Sequence, residues 1–186
     1  MKIGTRSLLF GAHQVLIHPW FTAWAWWRLY GFPWDPRLWV AFLVHDWGYW
    51  GKPNMDGPEG ERHPLFGAWI MGRLFGSEWR DFCLLHSRFL SKKYGQPYSR
   101  LCVADKLVIG LTPWWLYLPL ARLSGELAEY MQDAGARTPA GNRGPQVWYR
   151  DVQAYCTAWA QVHRDGKRDE WTGTKRDLAM QPEDEF

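Results

Sequence analysis

The dipeptide His45-Asp46 stands at the end of an apolar run, WVAFLV, and five of the six histidines fall between positions 13 and 86. A carboxylate buried beside an imidazole is costly when unpaired, whereas a cation offsets its charge and orders both groups. Successive helical residues diverge by about a hundred degrees, yet at a helix terminus two neighbouring side chains can turn onto one ion. Neutral imidazole and carboxylate with no thiolate at hand suit Zn, Mn or Fe. The pair is followed by a glycine- and proline-rich stretch, Gly48 to Pro58, and then by another histidine, His63.

The elements that must carry these groups read as helices almost throughout. Arg6 to Tyr30 forms an apolar helix with a kink at Pro19, stopped by Gly31; Asp35 then caps a second helix from Pro36 to about Asp46. The glycines and prolines of 48–58 predict a loop. A third helix opens near Arg62 to Pro64 and ends around Gly76, and Ser77 reads as the N-cap of a fourth that continues to about Leu90. Ser99 to Gly110 and Pro113 to Gly135 follow, with Thr112 capping the second of them. A polar connection spans 136–145, Gln146 to Arg164 reads as a last amphipathic helix, and Asp165 to Phe186 as a charged tail, mobile or loosely docked. No period-two alternation and no repeat interrupts this pattern. The expected fold is all-α, a single compact bundle with aromatic-rich helices, its core in residues 1–135 and residues 136–186 packed on it or loosely attached.

Composition narrows the function classes. A chain of 186 residues suits one domain with a real core. Cys83, Cys102 and Cys156 are odd in number and widely spaced, and no cleavable signal segment is evident, which predicts a cytoplasmic protein without disulfides. The net charge of +3 is spread among interspersed acids and bases, so nucleic acid is not an expected partner. Fifteen tryptophans are many for this length. Leu8 to Trp27 and Leu107 to Ala121 are broken by His13, Gln14, His18 and Pro19, and by Pro113 and Pro119, so neither supplies the roughly twenty clean apolar residues of a span. Packing of buried and half-buried helices is the first use of these aromatics; a peripheral membrane contact and a homo-oligomer stay open.

Taken in order, His18 (or His13), His45-Asp46, His63 in HPLFGA, His86 in LLHSR and Asp105 in ADKL resemble the H, HD, H, H, D signature of the HD-domain superfamily of metal-dependent phosphohydrolases. The likeness covers about residues 8 to 112. It implies an HD-type bundle in which the first His, the HD pair and the last Asp hold one divalent metal while His63 and His86 serve a second. Manganese, iron, zinc, cobalt and magnesium are not distinguished. Between the two early histidines, rise per residue along antiparallel helices favours His18, with His13 as the alternative ligand or a pocket residue. His163 lies in a hydrophilic run and reads as a surface residue.

Two cations sharing Asp46, the expected catalytic residue, bring a water between them toward neutral pKa for attack on phosphorus. Lys52, Arg88 and Lys106 are the candidates for binding the phosphate of a nucleotide or other small phosphoester, ahead of Arg62, Lys92, Lys93 and Arg100. Asp56, Glu59 and Glu61 are the nearest acids able to protonate a leaving group. The chain departs from single-metal HD nucleotidases in having no Glu soon after HD, and from cyclic-dinucleotide phosphodiesterases in lacking a paired HH or GYP element. Trp47, Tyr49 and Trp50 suit packing or base stacking. The alternatives are an HD-type di-iron oxygenase on the same ligands and a non-catalytic, tryptophan-rich interaction or membrane-surface protein using Trp26, Trp27, Trp114 and Trp115.

Overall fold

Helices account for every regular element among residues 1–137 and 144–165, which the computed structural model describes. They are α1 (Ile3–Phe10), α2 (His18–Tyr30), α3 (Pro36–Val44), α4 (Pro64–Phe75), α5 (Ser77–Leu84), α6 (Arg88–Lys93), α7 (Arg100–Leu111), α8 (Trp114–Ser124), α9 (Glu126–Arg137) and α10 (Pro145–His163), with single 3-10 turns at Trp47–Tyr49 and Gly60–Arg62. The charged tail and most of the polar connection lie outside the described residues.

Local chemistry explains several starts. Asp35 accepts the backbone N–H of Arg37 at 2.9 Å ahead of Pro36, whose fixed φ suits a first helical position. Pro64 opens α4 in the same way. Elsewhere the chain divides where continuous helices were expected. In place of a kink at Pro19, the first long helix is interrupted from Gly11 to Ile17, and Pro19 sits in the opening turn of α2. The expected helix from Ser77 to Leu90 stops at Leu84; Ser77 is its first residue rather than its cap, and Ser87 caps α6 by accepting from Leu90 N–H. Pro113 to Gly135 divides at Gly125, whose φ of 93° lies in the left-handed region that glycine tolerates best. Thr112 closes α7 instead of capping α8, its hydroxyl donating to Val108 O at 2.8 Å.

Three apolar clusters make the core among the described residues, the smallest of them Leu8, Tyr49 and Met55. Trp26 and Leu29 of α2, Phe42 of α3, Met71 of α4, Leu101 and Leu107 of α7 and Trp159 of α10 share one cluster; Tyr117, Leu118, Trp148 and Tyr149 build a second between α8 and α10. Helix α10 also completes the end of α7. Tyr149 donates its hydroxyl to Ile109 O at 3.0 Å and Thr112 O at 2.9 Å, and Gln153 reaches Thr112 O at 2.8 Å. These bonds satisfy carbonyls that a helix C-terminus leaves unpaired.

The tryptophans are used less uniformly than expected. Trp26, Trp148 and Trp159 are buried, while Trp20, Trp24, Trp27, Trp34, Trp50, Trp69, Trp114 and Trp115 are exposed. Trp26 is therefore part of the core and not of an interaction surface. No single described helix is long and apolar enough to cross a membrane; α7 and α8 pass that test only together, across a bend of 106°.

Candidate metal centre

Helix α3 delivers His45 and Asp46 at its end, where the backbone leaves helical geometry. His45 keeps helical dihedrals, and Asp46, at φ −97° and ψ −3°, turns into the 3-10 turn of Trp47–Tyr49. That change lets two adjacent side chains face one region. His18 enters from the first residue of α2, Asp105 from the middle of α7, His63 from the residue before α4, and His86 from the three-residue gap between α5 and α6. Close packing holds these elements together: a Cβ on Gly67 of α4 would sit 3.0 Å from His45 Cα and 2.7 Å from Val44 O.

The imidazole and carboxylate atoms converge in two groups. His18 Nε2 lies 3.2 Å from His45 Nε2, 3.2 Å from Asp46 Oδ2 and 3.2 Å from Asp105 Oδ1. His45 Nε2 lies 3.3 Å from Asp46 Oδ2 and 3.7 Å from Asp105 Oδ1. Donors bound at about 2.1 Å around a four-coordinate cation stand about 3.4 Å apart, so these five separations suit the edges of a ligand tetrahedron. In the second group His63 Nε2 is 3.0 Å from His86 Nε2, and each is 3.5 Å from Asp46 Oδ1. Asp46 thus offers one oxygen to each group. The second group has three protein donors, which leaves positions for water or substrate.

Three of the histidines share a local device. His45 Nδ1–H donates to Phe42 O at 3.0 Å, His63 Nδ1–H to Gly60 O at 2.7 Å, and His86 Nδ1–H to Cys83 O. In each case the acceptor lies three residues earlier, at a helix or turn end with carbonyls to spare. Donation from Nδ1 turns Nε2, the atom whose lone pair a cation would take in place of a proton, toward the group.

The electrostatics fit a cation. Burial opposes charge on Asp46 and Asp105, yet the imidazoles around them hold both well below the usual carboxylate range. Burial also opposes charge on His45, but Asp46 and Asp105 outweigh it and raise its pKa to about 10. His63, buried and next to His86, is pushed well below its ordinary value. Asp46 Oδ2 is buried without a hydrogen-bond partner among the protein groups. A buried and a half-buried carboxylate, an orphaned oxygen and imidazoles with Nε2 turned inward are a donor set suited to divalent ions, and these residues can hold them. Chelation is therefore expected to destabilise the fold: loss of a cation present at 100 times its Kd removes about 2.7 kcal/mol. Thermal unfolding with and without EDTA, then with Mn, Co or Zn restored, measures this.

His13 does not join either group. Its Nδ1 lies 3.0 Å from Glu126 Oε2 and 3.0 Å from Ser7 Oγ, and its ring stands beside those of His18 and Tyr49, at 5.4 Å and 5.3 Å between centroids. Glu126 escaped the sequence reading. It begins α9 behind Gly125, fully buried, and also accepts from Ala12 N–H at 3.1 Å and Ser124 O–H at 2.6 Å. It lay within an apparently continuous helix, so nothing marked it as buried.

Burial opposes charge on both members of this pair, but their hydrogen bond raises His13 from 6.5 to about 9 and lowers Glu126 from 4.5. The depressed acid contributes stability above pH 4.5 that is lost as pH falls, and the raised base contributes below pH 6.5 what is lost as pH climbs through about 9. The stability gap between the native chain and Glu126→Gln is expected to be widest between those two bounds and to narrow toward pH 9, as read by urea unfolding across pH.

The remaining candidates spread around this centre. Lys106 follows Asp105, which offsets the burial of its ammonium and raises its pKa. Arg88 lies 4.8 Å from the Trp159 ring centroid and donates to Tyr155 O–H at 3.2 Å. Lys52 lines a separate cavity described below. Glu59 accepts from Asn54 at 2.6 Å, and Tyr49 stacks on His63 at 4.0 Å rather than offering its face to a base. His163 stacks on Trp159 at 4.3 Å. Compared with family models, curated proteins and solved structures, the chain matches none.

Proposed function

We propose that the protein is an HD-type, metal-dependent phosphohydrolase acting on a small phosphoester. The observation that carries this reading is the division of Asp46, one oxygen toward His18, His45 and Asp105 and the other toward His63 and His86. One carboxylate serving two donor groups is the arrangement a pair of divalent cations needs. Cations held there supply Lewis acidity and bring water toward neutral pKa.

The chain's own groups have separable tasks. His45, His63 and His86 present Nε2 because their Nδ1 protons are committed to backbone carbonyls. His13, held through Nδ1 by Glu126, leaves Nε2 free to carry a proton, in a ring whose centroid is 5.4 Å from that of His18. We assign the phosphate to Lys106, which interacts with the adjacent Asp105, and to Arg88, which acts on Lys106 as a like charge.

The test is elemental analysis with a screen of phosphoesters after repletion with Mn, Co, Zn, Mg or Fe. Two equivalents of metal and hydrolysis are the expected result. Bound iron with consumption of O2 and no hydrolysis would instead favour an oxygenase on the same ligands, and no metal after repletion removes both readings.

A further inference from the structure

A cavity of about 520 Å³ lies between α1 and the segment that follows Asp46. Its walls are Leu8, Leu9 and Val15 on one side, Trp47 and Trp50 on the other, and Phe66 of α4. None of these belongs to the donor groups. The volume falls in the range that small ligands occupy. Leu9, Trp50 and Phe66 are 46%, 64% and 47% exposed, so the apolar wall runs out to the surface as an open mouth.

Lys52 is the one charged side chain on this wall among the described residues. Arg62 and Lys2 lie near enough to act on it as like charges and Glu59 as an opposite one. Apolar walls with a cation at the rim complement a molecule with an alkyl chain and an anionic head. A nucleobase fits less well, because its several polar edges would meet only Lys52 and the indole N–H groups of Trp47 and Trp50 on an otherwise apolar wall, and burying unpaired polar groups is costly.

The cavity is also coupled to the metal centre by the chain itself. Trp47 and Gly48 directly follow Asp46, and Gly48 packs against the backbone of His63. We propose that this cavity binds the chain of a single-chain phosphorylated amphiphile, with Lys52 beside its phosphate. That this molecule is also the substrate rests on the hydrolase reading above; its binding does not.

The test is titration of the full-length protein with hexyl, octyl and decyl phosphate below their micelle concentrations, followed by calorimetry and by the fluorescence of the wall tryptophans. Each added methylene is expected to lower Kd about fourfold. Decanol is expected to bind at least about tenfold more weakly than decyl phosphate, and Lys52→Met to remove that difference. Leu9→Trp, at a half-exposed rim position, is expected to fill the mouth and weaken every chain, with circular dichroism checking the fold. The proposal is overturned if Kd is independent of chain length, if both variants bind like the native protein, or if a response is seen only with anionic vesicles. Binding by a protein that hydrolyses no phosphoester leaves this site standing and removes the hydrolase reading. Hydrolysis of phenyl phosphate without any dependence on chain length does the reverse.

Discussion

Asp46→Asn is expected to strip the protein of both cations and to lower hydrolysis about a thousandfold, since metal charge stabilisation is worth several kcal/mol and each 1.36 kcal/mol is tenfold. The substitution is nearly isosteric, so the fold should persist. What changes is the donor set. An amide keeps one acceptor oxygen and turns the other position into an NH2 that cannot ligate, and it carries no charge to balance a cation. Because Asp46 faces both groups at 3.2 to 3.5 Å, neither group is spared. His63→Ala and His86→Ala make the informative contrast. They leave His18, His45, Asp46 and Asp105 intact and should retain one equivalent. Elemental analysis after chelation and repletion, with initial rates, separates the cases; two equivalents bound to Asp46→Asn would refute the shared carboxylate.

Gly48→Ala should be nearly as damaging although it adds one methyl group. A Cβ at position 48 would run into the carbonyl oxygen of His63, lying also 2.7 Å from its carbonyl carbon and 2.9 Å from its Cα. These are backbone atoms, with no rotamer to yield. Either the Trp47–Tyr49 turn or the start of α4 must move, and overpacking of this kind costs about 1–3 kcal/mol or more. Moving His63 separates its Nε2 from His86 and from Asp46 Oδ1. The expected result is a fall in unfolding midpoint together with loss of the second equivalent of metal, the first being retained. Urea unfolding and metal analysis of the same preparation measure the two effects, and a variant matching the native protein in both would show that the turn relaxes without moving His63.

Much of this arrangement could be read before any coordinates. Asp35-Pro36 and Pro64 marked helix starts because a capping carboxylate and a proline's fixed φ act locally, and the all-α class followed from the period of the apolar residues. The breaks at Gly11 to Ile17, at Leu85 to Ser87 and at Gly125 were not legible, because apolar residues continue through them and tertiary packing decides where hydrogen bonding stops. The choice between His13 and His18 was similar. Spacing along two antiparallel helices favoured His18, but Glu126, more than a hundred residues away, is what occupies His13. The partnership was invisible because Glu126 sat inside an apparently uninterrupted helix. The apolar cavity was equally hidden, since its walls come from α1, the turn after Asp46 and α4, three segments with no common sequence signal.

The three imidazoles anchored to a carbonyl three residues upstream separate two things that most ligand sets confuse. The aim of each ring is decided within four residues, whereas the meeting of the rings depends on segments brought together from α3, α4 and α5. Helix formation alone should therefore create correctly tilted donors with nothing to share, and cation capture should mark the later moment when the segments dock. In a refolding experiment with Co²⁺, far-ultraviolet ellipticity should recover first and the visible absorption of the ligated ion afterwards. The colour of the solution would then time the assembly of the tertiary structure.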